Sequence, residues 1–247
     1  MKLGLIGYPL SHSGSPAWFS KKFLQQGIEG TYTLFPLRDI AELPDLLRRE
    51  SGLSGFNVTI PHKEAIIPFL DSLDPAAREI GAVNTVRIVR NQGKIATKGF
   101  NTDVFGFDAA LPSLPQDTRA LILGTGGASK SVAFVLEIRK IPFTFVSRNI
   151  GKQAALGYNQ LNSKHFSDNL LIINTTPLGM FPDTGSVPSI PYHYLTRDHL
   201  LFDLVYNPSE TRFLEEGRRR GCRTINGLEM LYRQAEKAFE IFTAENF

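Results

Sequence analysis

In the stretch GFNVTIPHKE, Gly55 to Glu64, an alternating strand-like run ends at Pro61, and Lys63 follows two residues later. An ammonium group there is either a solvated turn residue or a group that can polarise a carbonyl oxygen and hand it a proton. His62 is the other proton carrier. Neighbours on an extended segment point opposite ways, so His62 is expected to face away from whatever Lys63 faces. Asn57 and Thr59 are two apart and share one face of the expected strand. Three more polar clusters fall where apolar runs stop: Ser11 to Pro16, Gly81 to Thr85, and Asn101-Thr102-Asp103. Singly, each has an ordinary explanation: Ser15 and Asp103 as helix caps, Asn84 as a turn residue.

A second chemistry-bearing motif lies further on. ALILGTGGASKSVAFVL places Gly124, Gly126, Gly127 and Ala128 between an apolar run and a helical pattern. Glycines there permit a tight turn and close approach of the backbone to a pyrophosphate, which the helix N-terminus attracts. Ser129 stands where the GxGxxG pattern has its third glycine. The next strand ends Val146-Ser147-Arg148-Asn149, with Lys152 following and no acidic residue. A carboxylate there would select a free ribose hydroxyl, whereas a guanidinium pairs with a 2′-phosphate. NADP is therefore the expected dinucleotide, with Arg148 as its reader.

These motifs need elements to hold them. Apolar runs predict strands at 2–7, 31–37, 56–60, 82–89, 94–100, 119–124, 143–148, 170–176, 200–206 and 222–225. Helical periodicity covers 15–28, 39–50, 126–140 and 209–221, starts again at Asp103, and is interrupted over 64–73. Asn91-Gln92-Gly93 reads as a hairpin turn. A last helix runs from about Gly227, with Leu228, Leu231, Ala235, Ala238, Phe239 and Phe242 as its apolar stripe. Met230 and Gln234 share a face of it. Gly227, just before it, could let a nicotinamide close in. Strands separated by helices imply an α/β fold with parallel sheets.

Composition excludes several classes. The chain has 247 residues, 42% hydrophobic and 21% charged, with a net charge of +3. Cys222 is the single cysteine, so no disulfide framework exists, and without CxxC or HExxH no metal site is expected. Arg218-Arg219-Arg220 is flanked by Glu215 and Glu216 and reads as a solvated helix end, not a nucleic-acid patch. No apolar run reaches the roughly 18 residues of a membrane span, and the N-terminal one is too short for a signal peptide. A soluble cytoplasmic protein is expected.

In order, SHSxSP, NVTIPHK, GAVNT, GFNTDVFGF, GTGGAS, NTTPLGM and NGLEMLYRQA resemble the shikimate dehydrogenase family from Leu5 to about Phe242. The resemblance implies an α/β substrate domain (1–102 plus 227–247) and a Rossmann-type NADP-binding domain (103–226). It implies NADPH-dependent, reversible reduction of 3-dehydroshikimate to shikimate, on the route to chorismate and aromatic amino acids. Lys63 and Asp103 match the catalytic pair. Ser13 and Ser15 match the serines that hold the substrate carboxylate. Asn57, Thr59, Asn84 and Asp103 match the residues on the ring hydroxyls. Tyr206 and Gln234 match further substrate contacts. Gly124, Gly126, Gly127, Ala128, Ser147, Arg148, Asn149, Thr175, Leu204, Gly227 and Met230 fall where the family binds NADP. Ser147 replaces a frequent asparagine, Phe100 stands where many relatives have a polar or smaller residue, and Lys152 is one position from where a second basic residue is expected. The implied partners are the small-molecule substrate and the cofactor, with no nucleic acid and no membrane, in a monomer or homodimer. Two alternatives remain open: a broader quinate/shikimate dehydrogenase, and a catalytically silent NADP-binding module.

Overall fold

The computed structural model describes residues 1–10, 13–91, 94–151 and 156–244. The expected turn at Gln92-Gly93, and His12 and Lys152, lie outside the described residues. The chain divides into two compact units, Met1–Thr102 with Gln234–Phe247, and Asp103–Arg233.

The first unit holds β1 (Lys2–Gly7), α1 (Ser15–Gln25), β2 (Thr31–Pro36), α2 (Leu43–Arg49), β3 (Leu53–Val58), β4 (Ser72–Leu73), α3 (Pro75–Ile80), β5 (Thr85–Asn91) and β6 (Lys94–Phe100). Its sheet runs in the order β2-β1-β3-β5-β6-β4. The sheet is mixed: β1 pairs parallel with β2 and β3, whereas β5 is antiparallel to β6, as the expected hairpin requires, and also to β3, which the expectation of parallel sheets did not include. The consequence is positional. Parallel β3 ends, antiparallel β5 begins and β6 ends at one edge of the sheet, so Asn57 pairs with Thr85 and Thr85 with Phe100.

One face of this sheet packs Ile6, Phe35, Phe56, Val58, Val86 and Ile88 against Leu43, Leu46 and Leu47 of α2. The other packs Leu3 against Phe19 and Phe23 of α1 and against the end of the last helix, α8. Pro16 sits in the first turn of α1, where its missing N–H costs nothing. The stretch 64–73 is less helical than its pattern: a 3₁₀ turn at Ile67–Phe69, with Pro68 inside it, and then β4. The unanticipated α3 carries its own start signal, Asp74 accepting from the Ala76 N–H before Pro75.

The second unit holds α4 (Asp103–Ala110), β7 (Ala120–Leu123), α5 (Gly127–Ile138), β8 (Phe143–Val146), α6 (Ser163–Asp168), β9 (Leu171–Asn174), β10 (Leu200–Asp203), α7 (Arg212–Arg218), β11 (Arg223–Ile225) and the start of α8 (Leu228–Thr243). Its sheet is all parallel, in the order β11-β10-β9-β7-β8. Both faces are covered, which explains why its strands read as continuous apolar runs. Ala120 and Ile122 face Phe107, Val132 and Leu136, while Leu121 and Leu123 face Phe166, Phe213 and Leu214. Arg218, Arg219 and Arg220 pair with Glu210, Glu215 and Glu216, as a solvated helix end requires.

The stripe assigned to α8 needs correcting at its start. Ala235, Ala238, Phe239 and Phe242 are buried, but Leu228 is 37% exposed and Leu231 is half-buried. Met230 instead joins the second unit's core, where Phe202 and Val132 lie. Among the described residues, no helix is long and apolar enough to cross a membrane, and no His/Cys/Asp/Glu group could hold a metal ion.

Candidate active site

In the first unit the strand after which Lys63 comes is shifted from its expected place. β3 ends at Val58, so Thr59 lies just beyond it, its N–H donated to the Ile6 carbonyl at 2.9 Å. The Ile60-Pro61 peptide is cis. The Lys63 carbonyl then accepts from the Val83 N–H at 2.7 Å, which sets Lys63 beside Asn84. His62 is buried, with Nε2 2.8 Å from the Leu37 carbonyl. That side chain is committed to packing, away from the polar edge.

Asn84 is the hub of that edge. Its Oδ1 accepts the Thr102 backbone N–H at 2.6 Å, and a backbone N–H can only donate, so the amide orientation is fixed. Nδ2 must then donate, to Thr102 Oγ1 at 2.9 Å and Gln234 Oε1 at 3.3 Å. Gln234 is thereby oriented too, with Nε2 as its donor end. Asn57 is fixed by the same logic: its Nδ2 donates to the Asn84 carbonyl at 3.3 Å and to Thr85 Oγ1 at 3.0 Å. Its Oδ1 accepts from Tyr32 Oη at 2.9 Å. A chain of side chains from β2 to α8 thus has its amide orientations determined, while the Thr85 and Thr102 hydroxyls between them can each donate to more than one neighbour. Ser13 and Ser15 lie at the start of α1, after β1. Gly14 is the N-cap of α1 and no side chain caps it, so Ser15 is not a cap; Ser13 Oγ accepts the Ser15 N–H at 3.2 Å in the turn before the helix.

The second unit's glycine turn follows β7 and leads into α5. The strand order reverses between β7 and β9, the position where open α/β sheets bind ligands. Gly124 has φ +110°, and a Cβ there would lie 2.8 Å from Thr175 Oγ1, so only glycine fits. Gly126 is the N-cap of α5, with no side-chain cap and no acidic residue in the first turn. A Cβ on Gly126 would meet nothing within 4 Å. The turn is therefore open and electropositive, which fits a pyrophosphate. Ser129 is fully buried and returns its hydroxyl to the Gly126 carbonyl at 2.7 Å, a small residue filling the third-glycine position.

After β8, Ser147 Oγ accepts the Asn149 N–H at 3.1 Å and lies 3.4 Å from Thr125 Oγ1. Arg148 between them is exposed, and no carboxylate occupies 147–151. Thr175 donates its hydroxyl to the Leu123 carbonyl at 2.7 Å. Gly227 has a structural reason of its own: a Cβ would lie 2.0 Å from the Leu204 carbonyl oxygen. Close approach of protein backbone, rather than of a cofactor, already demands glycine there.

The N-terminal part of the chain, residues 5–86, matches the family model described as the shikimate dehydrogenase substrate binding domain. A shikimate dehydrogenase (NADP(+)) from Desulforamulus reducens is 39% identical over 97% of this chain and 89% of its own length. The chain belongs to the shikimate dehydrogenase family. Among solved structures, shikimate dehydrogenase 1 from Peptoclostridium difficile superposes with TM-score 0.85 at 36% identity, covering 98% of this chain and 91% of that one. A Thermus thermophilus shikimate 5-dehydrogenase in complex with NADP(H) and shikimate superposes with TM-score 0.84 at 32% identity, over 98% and 93%.

Family membership makes the unforeseen residues informative. Thr85 and Thr102, members of the polar clusters at 81–85 and 101–103, join the polar edge together with Tyr32, which its spacing did not mark. Asp203 is a second residue that its spacing did not mark. It ends β10 in register with Asn174 at the end of β9. Its Oδ1 accepts from Asn174 Nδ2 at 2.9 Å and the Val205 N–H at 3.0 Å, and its Oδ2 from Thr211 Oγ1 at 2.5 Å. It fixes the loops that carry Thr175, Leu204 and Tyr206. An acidic residue closing LLFD beside the asparagine closing LIIN was the available signal. Burial pushes the Asp203 carboxyl up to about 6 from its ordinary 3.8, against the pull of Thr211, Val205 and Asn174. The folded state therefore binds this proton more tightly than the unfolded one. The associated stability is full below pH 3.8 and is lost as pH rises through about 6. Unfolding measured against Asp203→Asn should show the wild type gaining, relative to the variant, on the order of 1–3 kcal/mol between pH 7 and pH 4. A pH-independent difference would contradict this.

Proposed function

We propose that this protein catalyses the reversible, NADPH-dependent reduction of 3-dehydroshikimate to shikimate, in the biosynthesis of chorismate and aromatic amino acids. The observation that carries the reading is the directed polar edge around Asn84, with Lys63 pinned beside it by the Val83 N–H. A small acid bearing several hydroxyls needs such an array, because a site built to pair specific hydroxyls rejects analogues that lack them.

On this reading residues 1–102 with 227–247 take the substrate and 103–226 the cofactor. Ser13 and Ser15 donate to the substrate carboxylate. Asn57, Thr59 and Asn84 pair with ring hydroxyls, and Tyr206 and Gln234 complete the contacts. Lys63 polarises the carbonyl oxygen and supplies its proton, and Asp103, the other member of the catalytic pair, binds a substrate hydroxyl. NADPH, when bound, supplies the hydride. Gly124, Gly126, Gly127 and Ala128 hold its pyrophosphate at the α5 N-terminus. Ser147, Arg148 and Asn149 take the adenosine end and its 2′-phosphate. Thr175, Leu204, Gly227 and Met230 line the nicotinamide end. The protein works in the cytoplasm as a monomer or homodimer, with neither nucleic acid nor membrane as a partner.

The test is NADPH production from shikimate, with quinate and NAD run alongside. Efficient turnover of shikimate with NADP is the expected result. Equal turnover of quinate would replace the reading with a broader dehydrogenase, and tight NADP binding without turnover would replace it with a silent module. Arg148→Ala should raise KM for NADP by about ten-fold or more, the loss of a charged hydrogen bond, and leave KM for NAD unchanged. An unchanged KM for NADP would remove Arg148 from the phosphate.

A further inference from the structure

Tyr32 lies on β2, pairs in register with Leu3 of β1, and reaches the polar edge from below. Its ring stacks on Phe19 at 4.2 Å and 15°. Its hydroxyl donates to Asn57 Oδ1 at 2.9 Å. Burial raises its pKa, so the phenol stays protonated and remains a donor at any physiological pH.

We propose that Tyr32 is a positioning residue of the substrate site, aiming the Asn57 carboxamide through its hydroxyl. Asn57 Nδ2 has both its hydrogens committed, to the Asn84 carbonyl and Thr85 Oγ1. Asn57 can therefore offer a ligand only acceptor capacity, and its Oδ1 is aimed by the Tyr32 donor. One ring, stacked on Phe19 of α1, thus aims the strand-end side chain that would meet a substrate hydroxyl. The stacked ring has no rotational freedom, because β2 and Phe19 fix it from two sides. The role of Tyr32 is to aim one substrate contact, Asn57, rather than to contact the substrate itself.

This rests on Asn57 contacting substrate, so the experiment separates the two claims. Tyr32→Phe keeps the ring and its stacking and removes one oxygen. It is expected to raise KM for shikimate about three- to ten-fold, one hydrogen bond's worth. KM for NADP and kcat should stay within about two-fold, a split that general loosening of the fold would not give. In an Asn57→Ala background, adding Tyr32→Phe should have little further effect on KM, because the positioned group is gone. Thermal unfolding of each variant checks that it is folded. If Asn57→Ala raises KM but Tyr32→Phe does not, the positioning role is wrong while the site stands. If the two effects on KM multiply in full, Tyr32 acts elsewhere and the proposal falls. If Asn57→Ala leaves KM unchanged, the substrate assignment itself fails and takes the proposal with it.

Discussion

Replacing Lys63 with alanine is expected to lower kcat about 10²–10⁴-fold, the range a positioned proton-transfer group supplies. KM for shikimate should change little, because an interaction made mainly in the transition state affects kcat rather than binding. The fold uses Lys63 through its backbone, whose carbonyl takes the Val83 N–H at 2.7 Å, and alanine keeps that bond. The half-buried side chain is no part of either core cluster of the first unit. A folded but slow enzyme is thus the predicted outcome, measured by steady-state kinetics together with thermal unfolding. A kcat within a few-fold of wild type would show that another group, or water, supplies the proton. His62 is not that group, since its ring is buried against the Leu37 carbonyl. His62→Gln should therefore disturb stability more than turnover.

Gly227→Ala is expected to damage stability about as much as Lys63→Ala damages rate. The added Cβ would lie 2.0 Å from the Leu204 oxygen and 2.6 Å from the Leu204 carbonyl carbon. Neither side can yield cheaply. Leu204 is tied to β9 through its N–H to the Asn174 carbonyl at 3.0 Å, and Gly227 to the Val205 carbonyl at 3.1 Å. The Gly227 carbonyl also begins the hydrogen-bond ladder of α8, accepting from Leu231 at 2.9 Å. Overpacking against backbone should cost about 3 kcal/mol. At this chain length that lowers Tm by roughly 6–12 °C. A Tm within about 2 °C of wild type would mean that the α8 start is far more yielding than its bonds indicate.

The second unit was legible because its physics is local. Apolar runs of four residues buried on both faces, glycines before a helix, and an arginine after the second strand all speak from adjacent positions. Lengths were overestimated wherever polar residues beyond a strand were counted with it, as at Thr175 and Thr176, which form a turn anchored on Asn174. The first unit was less legible. The β5–β6 pair was legible as a hairpin, but the antiparallel pairing of β5 with β3 was not. The partners of Asn57 and Asn84 lie 18 to 150 residues away in sequence, and no periodicity announces such pairs. Tyr32 looked like an ordinary strand residue, and Thr85 and Thr102 stood in polar clusters with no site role of their own. The family motifs supplied the names of the site residues, and the fixed amide directions supplied what each can donate or accept.

The first sheet has a consequence for how the chain is made. Leu3, Phe19 and Phe23 are covered by Ala235, Ala238, Phe239 and Phe242, and Thr102 meets Gln234 across 132 residues of intervening chain. At about 5–20 residues per second, a ribosome takes on the order of ten seconds to bridge that interval. Throughout it the nascent first unit carries an uncovered aromatic face and an unfinished polar edge. The covering segment is thus separated from the face it covers by the whole second unit, and a chain released before α8 is made leaves that aromatic face exposed.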